Sequence, residues 1–149
     1  MIKISGTERF EESITDVWSR LSDLSFIANS IPGLSSVTEI NYNRLSCKIK
    51  PALSFLTGSL STTITVQERM EPSNLTILVN SKGIGSHASI RTVFKLADDG
   101  DRTRVSWTGT IEELGGLLKP INAVLIEASA NKVIASAWDG FRSQLALQG

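Results

Sequence analysis

Residues Leu117–Leu145 run LLKPINAVLIEASANKVIASAWDGFRSQL and carry the longest helical pattern in the chain. Apolar or small residues recur as adjacent pairs four positions apart: Leu125-Ile126, Ser129-Ala130, Val133-Ile134 and Ala137-Trp138, then Phe141. A spacing of four exceeds the length of a helical turn, so the stripe drifts by roughly 40° per repeat. Such a drift suits a helix crossing a strongly twisted sheet. The middle of the stripe is small, at Ser129, Ala130 and Ala137, and leaves volume between helix and sheet. Large strand residues or a ligand must fill that volume. Lys119, Pro120, Asn122, Glu127, Asn131 and Lys132 interrupt the segment, so it lacks the continuous apolar run of a membrane span.

The sheet is legible upstream. Ile2, Ile4, Gly6 and Glu8 alternate with polar residues and predict a first strand, with Glu8 on its apolar face. Ser13 and Asp16 resemble a capping box ahead of a helical face formed by Ile14, Val17, Trp18 and Leu21. Asp23 caps a second short helix through Phe26 and Ile27. Pro32 then disfavours the helical region at Ile31, and Pro32-Gly33 suits a type II turn with Gly at positive φ. Ile31-Pro32-Gly33 is therefore a corner from helix to strand.

The remainder is β-patterned. Val37–Ile40 and Leu45–Ile49 flank a hairpin turn at Asn41-Tyr42-Asn43. Alternating faces follow at Leu60 to Val66, Leu75 to Val79, Ala88 to Leu96, and Val105 to Ile111. Turns fall at Pro72-Ser73-Asn74, Gly83-Ile84-Gly85 and Asp98 to Asp101. The order is one strand, two short helices, about six more strands and one long helix, an α+β arrangement within the usual range for one sheet.

The 149 residues suit a single domain spanning 1–149. Fifteen basic residues balance fifteen acidic ones, and no basic cluster marks a nucleic-acid partner. The N-terminus is strand-like rather than a signal peptide. A lone Cys47 allows no intrachain disulfide. A cytoplasmic location is expected on these grounds.

Reactive chemistry is sparse. His87, the sole histidine, alternates away from the apolar face and has no Ser-His-acid motif around it. Cys47 shares a face with Leu45 and Ile49 and suits a small buried hydrophobe. One His and one Cys cannot build a four-ligand zinc site, and the acidic turn Asp98 to Asp101 lacks EF-hand spacing. Glu8 and Glu68 both fall on faces with apolar neighbours. If buried, either requires a partner or a raised pKa; otherwise both lie near strand ends and reach water. Phe55, Phe94, Trp107, Trp138 and Phe141 are apolar-face aromatics, expected in the core or around a pocket.

Lys3-Ile4-Ser5-Gly6-Thr7, Val17-Trp18, Ile31-Pro32-Gly33, Gly83-Ile84-Gly85 and Gly115-Gly116 together resemble the carbon monoxide dehydrogenase CoxG family of the START-like (SRPBCC) superfamily. The resemblance spans nearly the whole chain. It implies a helix-grip fold, an antiparallel sheet wrapped around the C-terminal helix over an apolar cavity. Gly115-Gly116 would open that helix. It also implies a small protein that handles a lipid- or quinone-like molecule beside a redox enzyme, in the cytoplasm or peripheral to the inner face of the membrane. No catalytic residues, metal or cofactor carry over. Two positions depart from the family pattern: Ser13 stands near its usual proline, and Glu8 replaces an aromatic or aliphatic residue.

The expected ligand lining is Phe94, Trp107, Ile111, Leu125, Ser129, Val133 and Ala137, with Glu68 as a polar anchor. Two rivals are a cyclase- or dehydratase-like enzyme using Glu8 or Glu68, and a docking module with a filled core.

Overall fold

A computed structural model describes residues 2–50, 58–83 and 85–148. Phe55 and Ile84 lie outside the described residues. The elements are β1 (Ile2–Phe10), α1 (Ile14–Leu21), α2 (Leu24–Ser30), β2 (Leu34–Ile40), β3 (Arg44–Ile49), β4 (Leu60–Met70), β5 (Asn74–Gly83), β6 (Ser86–Asp99), β7 (Arg102–Gly116) and α3 (Ala123–Gln148). The strands form one antiparallel sheet in the order β1-β7-β6-β5-β4-β3-β2. The chain therefore builds six strands as successive hairpins and places β1 on the far edge, beside β7. No helix among the described residues is long and apolar enough to cross a membrane.

The helix caps follow the sequence. Ser13 Oγ accepts from the Asp16 amide, and Asp23 Oδ1 accepts from the Ser25 amide. Each satisfies a backbone donor that the first helical turn leaves unpaired. The corner after α2 also forms as expected: Ile31 is extended and Gly33 has φ +78°. Gly33 accepts a hydrogen bond from the Lys50 amide at 2.8 Å, and a Cβ at position 33 would overlap the Lys50 carbonyl. Gly33→Ala should cost at least about 1–2 kcal/mol, the price of a left-handed residue with a side chain, because the Lys50 backbone carbonyl must be displaced as well. Urea denaturation measures it.

Two expectations need correction. The final helix begins at Ala123, not Leu117, because β7 continues through Gly115-Gly116 and Pro120 lies in the turn that follows. Asn122 is the cap: its Oδ1 accepts from the Leu125 amide at 2.9 Å. Glu68, in turn, does not share the face of Val66. The β4–β5 register shifts between Val66 and Glu68, and this β-bulge moves Glu68 to solvent and brings Arg69 inward. Arg69 then bonds the Ser22 and Tyr42 carbonyls and Asn43 Oδ1, tying the β2–β3 hairpin to the end of α1.

The core divides in two. One cluster joins Ile4, Phe10, Val17, Trp18, Leu96, Val105, Trp107, Trp138 and Phe141. A second joins Leu24, Ala28, Leu45, Cys47 and Ile64. Half-buried Ile27, Val66 and Ile77 touch both clusters. Cys47 is buried, and burial pushes its thiol pKa up, as suits a core residue rather than a nucleophile.

Candidate functional site

The long helix packs on α2 and β1, and its C-terminal half carries the aromatic and ionic contacts to them. Phe10, Phe26, Trp138 and Phe141 form an aromatic cluster with ring centroids 5.4–5.9 Å apart, mostly edge to face. Gly140 lets the α3 backbone approach the Ser30 carbonyl at the end of α2. Arg142 closes this end. It donates to Glu8 Oε1 at 2.9 Å and to the Arg9 carbonyl at 2.8 Å, and it lies over the Phe10 ring. Glu8 is thus half-buried with an ion-pair partner supplied by α3. Arg142→Ala should cost about 1–2 kcal/mol, because the pair is partly solvated but the carbonyl bond and ring contact go with it. A double-mutant cycle with Glu8→Gln separates the two parts.

Toward its N-terminal half, α3 covers the sheet less completely. Ile77, Phe94, Ala130 and Ile134 all pack against the first core cluster yet remain half-buried. Val79, at the second cluster, is half-buried as well. These residues leave apolar surface only half-covered between α3 and the inner face of β5 and β6. The small residues foreseen at the centre of the helix, Ser129, Ala130 and Ala137, are all half-buried.

The phase of the helix sets which of the paired residues face the sheet. The second member of each pair faces inward: Ile126 is 6% exposed and Trp138 8%. The first member faces outward, with Leu125 at 45% and Val133 at 43%. Of the expected lining, Phe94, Ser129 and Ala137 are half-buried, Trp107 and Ile111 are buried, and Leu125, Val133 and Glu68 are exposed. Ile77, Val79, Ala130 and Ile134, which the sequence places on apolar faces but not among the expected lining, are half-buried here as well. Trp138 and Phe141 carried the missing signal, since two large aromatics on one side fix the phase of the whole helix.

Trp107 is distinctive. Its ring lies against Gly6 of β1, where any Cβ would overlap it. Its indole N–H is buried and has no hydrogen-bond partner among the described residues. Buried indole N–H groups normally find an acceptor, as Trp18 does at Glu71 Oε1, 3.1 Å away. Of the two carboxylates weighed for acid–base work, Glu8 is paired with Arg142 and Glu68 is exposed.

The fold is shared with solved structures. A conserved protein from Geobacillus kaustophilus is 21% identical, with a TM-score of 0.88, over 98% of this chain and 95% of that one. A START superfamily protein from Mycobacterium smegmatis is 13% identical, with a TM-score of 0.75, over the full length of both. At these identities the likeness shows a START-like fold and no more. No curated protein matches the sequence. The family model for CoxG, a subunit of carbon monoxide dehydrogenase, matches residues 6–146, nearly the whole folded domain. On that match, from the first strand to the last turn of α3, the chain belongs to the carbon monoxide dehydrogenase CoxG family.

Proposed function

We propose that this protein holds a small apolar or amphipathic molecule, lipid- or quinone-like, in the cleft between α3 and the sheet, as a non-catalytic accessory to a carbon monoxide dehydrogenase-type or related redox enzyme. The observation that carries this is the half-buried apolar surface of Ile77, Val79 and Phe94, opposite small and medium residues of α3. A packed core would bury such residues fully, and pockets for apolar ligands are built this way, with few polar groups for orientation. Organic extraction of freshly purified protein, followed by mass spectrometry, should yield one apolar compound in near-stoichiometric amount. An empty extract, together with no uptake of a fatty acid or short-chain quinone by the extracted protein, would count against the reading.

A second reading has its own observation. Leu117, Val124, Leu125 and Val133 are exposed apolar residues around the N-terminal half of α3. They favour docking on an apolar surface, either of the enzyme served or of a membrane. Val124→Lys with Val133→Lys should leave extractable ligand unchanged and abolish co-purification with the enzyme or flotation with vesicles.

A further inference from the structure

The face of the sheet turned away from α3 carries a half-open trough of about 600 Å³. Its floor follows two cross-strand rows over β4, β5 and β6: Ser61, Lys82 and His87, then Thr63, Asn80 and Ser89. Arg44 of β3 and Glu113 of β7 stand at its two sides.

Several of the trough's groups are already engaged: Arg44 pairs with Glu39 at 3.4 Å and the Thr63 hydroxyl shares a hydrogen bond with Ser46 at 3.4 Å. The Ser89 hydroxyl donates to Asn80 Oδ1 at 2.8 Å, so the Asn80 amide nitrogen is left to donate into the trough. Glu113 is the lone carboxylate in the lining, and His87 Nε2 lies 3.4 Å from its Oε1. His87 reaches that position because residue 115, its partner on β7, is glycine; any Cβ there would overlap the imidazole. The ring therefore leans toward β7, away from Lys82. The Lys82 ammonium takes part in no ion pair among the described residues.

We propose that this trough binds a small phosphorylated polyol. Its phosphate sits at Lys82 and the Asn80 amide, and its hydroxyls meet Thr63 and its neighbours. An ammonium and an amide donor side by side suit an oxyanion, and charge-assisted bonds of this kind are the strong ones. Hydroxyl side chains both donate and accept, which matches the hydroxyls of a polyol. The volume accommodates a sugar phosphate rather than inorganic phosphate alone. The same chemistry is offered by a free metabolite and by a phosphoglycerol lipid headgroup.

The test is a backbone-amide NMR titration of the whole chain with glucose 6-phosphate, glucose and inorganic phosphate, alongside sedimentation with phosphatidylglycerol vesicles. Saturable shifts with glucose 6-phosphate, confined to Thr63, Asn80, Lys82, His87 and Ser89, support a free metabolite. Vesicle binding without a glucose 6-phosphate response supports the headgroup, provided Lys82→Gln weakens it and Lys95→Gln does not. Lys82→Gln should weaken either interaction on the order of tenfold or more, the worth of one charge-assisted bond. Lys95→Gln, which removes the same charge elsewhere on this face, should change nothing. Equal weakening by both variants, equal affinity for glucose and glucose 6-phosphate, or no saturable response to any probe overturns the proposal.

Discussion

Gly140→Ala should lower the unfolding free energy by about 2–3 kcal/mol, the upper part of the range for overpacking a tight interior contact. For a chain of this size that is a fall in Tm of roughly 5–12 °C. The direction runs against local propensity, because alanine in a helix interior is worth about 1 kcal/mol more than glycine. What reverses the sign is the approach of α3 to α2: a Cβ at position 140 would overlap the Ser30 carbonyl. Ser30 cannot easily retreat. It is buried, its hydroxyl donates to the Phe26 carbonyl, and the Ile31-Pro32-Gly33 corner follows at once. Moving the helices apart instead opens the Phe26–Phe141 contact, where the ring centroids are 5.4 Å apart. Gly100→Ala is the control. Gly100 has φ +74° but nothing near its would-be Cβ, so only the backbone cost of about 1 kcal/mol remains. Urea denaturation of both variants decides the matter. A Gly140→Ala protein as stable as the parent would mean that this close approach does not hold α3 in place.

That contact also shows what the sequence made legible and what it did not. Strand alternation, the caps at Ser13 and Asp23 and the Pro32-Gly33 corner are local effects, written in a few adjacent residues, and each stands where the pattern placed it. The features that were missed depend on distant partners. Gly140 reads as a weak point in a helix until Ser30 is seen beside it. Glu68 reads as inward because alternation has no mark for the extra residue that the bulge inserts beside Val66. Gly115-Gly116 reads as a helix start, although Gly115 is the β7 partner of His87 and is covered by its ring. The paired stripe of α3 left two faces open, and packing against α2 and β1 chose the one with Ile126, Ile134 and Trp138. That choice relocates the candidate site from Leu125 and Val133 to Ala130 and Ile134.

Ala130→Trp should reduce extractable ligand to below about one-tenth of the parent amount, a loss of at least about 1.4 kcal/mol in affinity, while the fold persists. Ala130 stands on the inward row of α3 between Ile126 and Ile134, packed against the cluster that includes Phe94 and Ile77. An indole at this position enters the space a ligand would occupy. The helix itself tolerates the change, because its anchorage lies more than two turns away, in the aromatic cluster and the Arg142–Glu8 pair. Stability then separates the rival accounts. Measured on ligand-free protein, an open cleft accepts the indole with little loss and can gain from the apolar area it buries. A filled core cannot: overpacking there costs about 1–3 kcal/mol. Stability kept with ligand lost therefore identifies a binding cleft. Stability lost, with no ligand extractable from the parent either, identifies a packed core, and the work of the protein then moves to the exposed apolar strip at Val124, Leu125 and Val133.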